Sequence, residues 1–87
     1  MGYKFVFTDN AKSDLKKLDN RVALRVSKKL AWIEAQGYPL RFGLALTDSR
    51  IGDIRFRVGA YRVIADIDYD RKRILVVRIG HRREVYR

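Results

Sequence analysis

A chain of 87 residues has room for one domain around one hydrophobic core, near the lower size limit for independent folding, which excludes a second domain. Hydrophobic residues at 47% and charged residues at 34%, with one proline and six glycines, exclude a disordered or linker-rich chain, and the lack of cysteine excludes a disulfide framework or a thiolate metal site. Twenty Lys and Arg against ten Asp and Glu give a net charge of +10, so the expected partner is a nucleic acid, an anionic membrane or an acidic protein, with a merely soluble basic surface as the plain alternative.

Residues 1–10 lack a basic start, a long apolar run and a small-residue cleavage site, and no segment is long and apolar enough to cross a bilayer. A soluble, cytoplasmic protein without a membrane partner is expected. Tyr3, Phe5 and Phe7 alternate with Lys4 and Val6, the period-two pattern of a strand with one aromatic face. Thr8 or Asp9 then caps a short helix over about residues 9 to 18, with Ala11, Leu15 and Leu18 on one side and Lys12, Lys16 and Lys17 largely off it. Asp19 or Asn20 caps a longer helix ending near Gly37, in which Val22, Val26, Leu30 and Ile33 form the apolar stripe and Ala23 and Trp32 widen it. Residues 37–50 have no clean period and contain the only proline, and read as an ordered loop.

Alternation returns at Ile54, Phe56 and Val58, with Arg55 and Arg57 pointing the other way. Gly59 and Ala60 make a turn, Tyr61 to Asp68 forms the next strand, Tyr69 to Lys72 a charged hairpin turn, and the apolar run Ile74 to Ile79 a strand at the centre of the sheet. The predicted fold is α+β: one strand, two helices, then a three-stranded antiparallel meander, with both helices on one sheet face and the other face left for function.

The block from Arg50 to Arg87 carries eleven basic residues against five acidic ones. In a hairpin closed at Gly59 and Ala60, Arg62 returns beside Arg55 and Arg57, placing three guanidinium groups opposite the apolar face. Planar guanidinium forks bind phosphate and stay charged, so such a cluster stabilises a phosphorane-like transition state rather than abstracting protons. The plain alternative is a solvated face paired with Asp66 and Asp68. His81, the only histidine, has the one side chain suited to proton transfer near neutrality, although a lone histidine at a strand end is more often polar surface. Tyr86 suits stacking on an unpaired base or, alternatively, anchoring the chain end. Glu84 is expected in an ion pair with its many cationic neighbours. One histidine and dispersed acids do not make a metal site, and no P-loop, dinucleotide fingerprint or nucleophile elbow occurs, so no cofactor is expected and any hydrolysis should be metal-free.

The string from Ile54 to Val63 (IRFRVGAYRV), with the ending from Ile79 to Tyr86 (IGHRREVY), closely resembles the RelE branch of the RelE/ParE toxin superfamily, and the likeness in element order covers nearly the whole chain. The resemblance implies the toxin of a type II toxin–antitoxin system: an endoribonuclease, or mRNA interferase, that cuts messenger RNA in the ribosomal A site through attack of a ribose 2′-hydroxyl on the adjacent phosphate, and that is silenced by a cognate antitoxin. It further implies that Arg55 and Arg57 belong to the catalytic face, that Arg62 meets the phosphate, that Arg82 lies near the leaving group and that Tyr86 is the terminal aromatic. His81 falls at a position that is histidine in some relatives and basic in others. Some relatives have lysine where this chain has Arg55 and Arg57, and arginine is a far poorer proton acceptor, so the general base is open; the expectation is that Arg55, Arg57 and Arg62 stabilise phosphate charge while His81 takes part in proton transfer and Tyr86 holds a base. The chain stops one residue after Tyr86, so no terminal helix orders the aromatic and its placement is expected to depend on substrate. Two other functions suit the same fold and charge: a ParE-like inhibitor of DNA gyrase, and a non-catalytic RNA-binding module.

Overall fold

The computed structural model describes residues 2–86. Its elements are β1 (Lys4–Phe7), α1 (Asp9–Lys17), α2 (Asn20–Glu34), a 3-10 turn (Pro39–Phe42), β2 (Leu44–Ala45), β3 (Ile54–Val58), β4 (Tyr61–Asp68) and β5 (Arg73–His81). The strands form one sheet in the order β1-β5-β4-β3-β2, parallel between β1 and β5 and antiparallel elsewhere. Among the described residues no helix is long and apolar enough to cross a membrane.

Each helix begins where a side-chain oxygen replaces a missing backbone partner. Thr8 Oγ1 accepts from the Ala11 N–H at 3.2 Å and donates to the Val76 carbonyl at 2.9 Å, so one hydroxyl caps α1 and ties it to β5. Asp19 accepts from the Arg21 N–H at 2.8 Å to start α2. Asp9 in the first turn of α1 and Lys16 and Lys17 in its last turn oppose the helix dipole favourably.

Both helices lie on one face of the sheet, as the apolar stripes predict. Ala11, Val26, Leu30 and Ile33 meet Ile54, Phe56, Val58, Val63, Ala65, Ile74, Val76 and Ile79 in a single core, with Leu15, Leu18 and Val22 packed at its margin. Phe56 is fully buried and takes the Phe5 ring edge to face at 5.3 Å. Trp32 departs from the expected stripe and is 50% exposed. It follows Ala31 and precedes the buried Ile33, so the 100° step of the helix turns it outward, where it meets Phe42 instead, with ring centroids 5.1 Å apart.

The sheet differs from the predicted four strands in two respects. The loop contains a fifth strand, β2, whose Leu44 and Ala45 pair with Arg55 and Ile54; two residues are too short a run to show alternation. With β2 added, the middle strand of the five is β4; β5 lies beside it, an interior strand flanked by β1 only over Arg73 to Val76. Beyond it Asp14 of α1 occupies the free edge, accepting from the Ile79 N–H at 3.0 Å and lying 3.8 Å from the Arg78 guanidinium, which blocks that edge to further strand pairing.

The entry to β2 turns tightly over the core. A Cβ on Gly43 would stand 2.5 Å from Ile54 Cδ1 and 3.0 Å from Phe56 Cε1, and both side chains are held in the packed interior. Gly43→Ala should therefore lower the free energy of unfolding by about 1–3 kcal/mol, read as a fall in the urea midpoint with an unchanged slope.

Candidate functional site

The β3–β4 hairpin builds the site. Val58 and Tyr61 close it across two residues, with Gly59 at φ 60° in the first turn position, where a side chain would be strained. The register sets Ile54, Phe56 and Val58 against Ala65, Val63 and Tyr61 on the helix side, which leaves Arg55 opposite Ile64, and Arg57 directly opposite Arg62, on the other face. The three arginines expected to converge do so. With Phe42, Gly43 and Leu44 they line a shallow depression of about 240 Å³.

Two of these guanidinium groups are held in place. Arg62 Nη1 donates at 2.9 Å to the carbonyls of both Gly59 and Tyr61, so the turn orients it. Arg55 Nη1 donates to the Tyr86 hydroxyl at 3.1 Å. Neither they nor Arg57 is neutralised: among the described residues none of the three lies within 4 Å of a carboxylate. The alternative in which Asp66 and Asp68 pair with the arginines is not realised, for a geometric reason. Asp66 is four residues beyond Arg62 along β4, about 13 Å at the rise of a strand, and Asp68 is engaged with Arg71 at 3.7 Å and Arg73 at 3.8 Å. Burial and the neighbouring Asp53 push the Asp66 carboxyl above the usual carboxylate range. The open face is thus basic at the Gly59 end and balanced by ion pairs at the other.

The carboxy-terminal segment completes the site by folding back over this face. The Arg82 N–H donates to the Ala60 carbonyl at 2.8 Å, and the N–H groups of Glu84 and Val85 donate to the His81 carbonyl at 2.8 and 3.0 Å. Val85 is buried and packs over Gly80. Ile64 belongs to the open face by register yet is fully buried, because Ile51, Val85 and Tyr86 gather around it. The part of this face around Ile64 is therefore covered, and that cover carries Tyr86 to Arg55. Arg82 is exposed at the start of the turn.

His81 is not brought to the arginines. A regular ladder counted from the Asp68–Arg73 pair would put it on their face. The ladder slips by one residue between Ile64 and Ala65, where β5 carries Val77 as an extra residue, and every β5 side chain beyond it changes sides. Ile79 thereby enters the core and His81 lies opposite Tyr61 on the helix side, with ring centroids 5.5 Å apart. It lines a cleft of about 520 Å³ with Asp14, Lys17, Asp19, Arg78 and Glu84, and its Nδ1 accepts from the Arg83 N–H at 3.2 Å. Glu84, expected in an ion pair, has no cation within 4 Å among the described residues, although it lines this cleft with Lys17 and Arg78.

The model of the family described as "ParE toxin of type II toxin-antitoxin system, parDE" matches residues 5–86, nearly the whole fold described above. The chain belongs to the ParE toxin family, and so to the RelE/ParE superfamily of type II toxins. Toxin RelG of Mycobacterium tuberculosis (strain ATCC 25618 / H37Rv) is 33% identical over 87 residues, which are 100% of this chain and 99% of the relative. In the crystal structure of the toxin–antitoxin complex RelBE2 from Mycobacterium tuberculosis, one chain superposes with a TM-score of 0.80 at 29% identity, over 93% of this chain and 99% of that one. The archaeal RelE–RelB complex from Pyrococcus horikoshii OT3 shares the fold, with a TM-score of 0.69 at 23% identity over 97% of this chain and 99% of that one. The RelE-like α+β fold expected from the residues is therefore the fold of this toxin.

Sequence reasoning reached the three arginines and Tyr86 and missed Val85, Gly80 and the Phe42–Leu44 wall. The pairing of Arg57 with Arg62 has an energetic consequence for the toxin: like charges directly opposite in an antiparallel sheet are destabilising. Arg57→Glu should raise stability by up to about 1 kcal/mol through a cross-strand pair with Arg62, seen as a higher urea midpoint at low salt, while removing one cation from the site.

Proposed function

We propose that this toxin is a ribosome-dependent endoribonuclease that inhibits translation by cutting messenger RNA in the ribosomal A site. The observation that carries the reading is the convergence of Arg55, Arg57 and Arg62, free of carboxylate partners among the described residues, beside a terminal aromatic held by Arg55. A 2′-hydroxyl oxygen attacks the adjacent phosphorus and the bond from phosphorus to the 5′-oxygen breaks. The products are a 2′,3′-cyclic phosphate and a 5′-hydroxyl; the 2′-hydroxyl loses its proton to solvent and the departing 5′-oxygen gains one. Arg62, oriented by the turn carbonyls, holds a non-bridging phosphate oxygen as charge develops, with Arg55 and Arg57 beside it. Arg82, exposed and tied by its backbone N–H to the Ala60 carbonyl of the hairpin turn, offsets charge on the leaving oxygen. Tyr86 stacks on the base next to the cut.

His81 contributes from behind the sheet. Its Nδ1 braces the Arg83 N–H, and through that turn it positions Arg82 and Tyr86. With no strong base among the guanidinium groups, the rate comes from electrostatic stabilisation and in-line placement of the RNA, which the ribosome provides. Free RNA is a poor substrate for such a site.

An antitoxin is the proposed protein partner. One similar solved structure is the toxin–antitoxin complex RelBE2 and another is an archaeal RelE–RelB complex, and this chain offers a fitting surface beside β1: a groove of about 490 Å³ lined by Phe5, Phe7, Leu15 and Leu30 together with Lys12, Lys16 and Glu34. An amphipathic segment with acidic residues on its outer side matches that lining.

Induction of the toxin in cells, with new 5′ ends mapped on translated messages, tests the reading. Cuts in phase with codons are expected, with cleavage reduced at least about 100-fold in Arg62→Ala and Arg82→Ala. Growth arrest with intact messages and broken DNA would instead assign the toxin to gyrase inhibition, and RNA binding with no cuts would leave a non-catalytic module.

A further inference from the structure

The outer side of α2 and the 3-10 turn present an aromatic ledge that the core does not use and that meets the arginine site only at Phe42. Trp32 and Phe42 meet edge to face with centroids 5.1 Å apart and remain 50% and 38% exposed. Core aromatics are not left so open, and a half-exposed pair is a surface with one flank still to cover. A cation lies over each ring: the Lys29 ammonium is 5.0 Å from the Trp32 centroid and the Arg41 guanidinium is 5.9 Å from that of Phe42. The ledge is continuous with the site, because Phe42 also lines the depression that holds Arg55, Arg57 and Arg62, and Leu44, 58% exposed, lies beside Phe42 there.

We infer that Trp32 and Phe42 form a second RNA subsite, which stacks unpaired bases flanking the scissile phosphate while Lys29 and Arg41 meet the backbone. This rests on the nuclease reading for the phosphate at the arginines, and adds a substrate contact to it. The chemistry of the ledge selects the occupant. Flat aromatic faces with interleaved cations suit a single-stranded nucleic acid, whose bases supply rings and whose phosphates supply charge. Lysine reaches its ring on a flexible stem, so a base can take the place of the ammonium, which then swings to a phosphate. A duplex, with its bases already stacked on each other, has no face to offer. The strand leaves the arginine depression past Leu44 and Phe42 and crosses the edge of the sheet to Trp32.

Trp32 is the only tryptophan, so its emission reports the contact directly. The full chain is titrated with a short single-stranded RNA whose riboses all carry 2′-O-methyl groups and which is not cut, and both tryptophan emission and RNA anisotropy are followed. Quenching that saturates with binding is expected, together with about tenfold weaker binding in Trp32→Ala and in Phe42→Ala, recovery in Trp32→Phe, and no quenching by an RNA duplex of equal length. Far-UV circular dichroism of each variant separates loss of contact from loss of fold. RNA binding that needs Arg55 and Arg62 but leaves the emission unchanged and is unaffected by Phe42→Ala would overturn the ledge and leave the nuclease intact. Quenching without any cleavage on ribosomes would leave the ledge standing and overturn the nuclease. Quenching by an acidic peptide and not by RNA would mark the ledge as a protein-docking surface and end the proposal.

Discussion

Val58 and Tyr61 are joined by two residues, and the alternation of side chains on either side of that turn governs the rest of the molecule. One face of the hairpin carries Ile54, Phe56, Val58 and Val63 into the core. Burying those side chains under the two helices contributes roughly 1.5–3 kcal/mol each. A slip of one residue would expose all of them and bury the arginines instead, so the register is fixed by the core. The positions of Arg55, Arg57 and Arg62 follow without any attraction between them. Their mutual repulsion is the cost, held in check by the packing beneath and by the Gly59 and Tyr61 carbonyls that Arg62 engages.

The same constraint, broken once, separates the two ends of the terminal motif. The irregularity opposite Ile64 and Ala65 sends Ile79 inward and His81 to the helix side, while Gly80 stays on the arginine face opposite Arg62. Val85 packs over Gly80, and the chain end next to it brings Tyr86 to Arg55. A bulge beside a functional face commonly re-aims side chains in this way. Here it leaves a face of guanidinium groups with one phenol, and a separate cleft in which the imidazole stands among carboxylates and cations.

The legible parts of the fold were those governed by short-range periodicity. The stripes Val22, Val26, Leu30, Ile33 and Ile54, Phe56, Val58 predict the buried faces, and Thr8 and Asp19 are caps because their oxygens sit one step before helical runs. The arginine cluster was legible for the same reason, since parity across a two-residue turn is arithmetic. The parallel pairing of β1 with β5 leaves no local trace, because its partners are about seventy residues apart. The bulge is likewise silent in a run of apolar residues in which Val76 and Val77 look alike, and so the placement of His81 could not be read. Trp32 resembles a core residue by type, and only its step past the stripe, with Lys29 one turn before it, hints that it faces outward.

Membership of the toxin family fixes the class of protein; the proposed nuclease chemistry rests on the arginine face meeting a phosphate. The most direct measurement is single-turnover cleavage on ribosomes carrying a message with one 2′-deoxy nucleotide at the position of the cut. If the arginines stabilise an attack by the neighbouring 2′-oxygen, that single substitution abolishes cleavage, and the all-ribose message yields a 2′,3′-cyclic phosphate. Equal cutting of the two messages, or no cutting of either by a folded and growth-arresting toxin, would contradict the account.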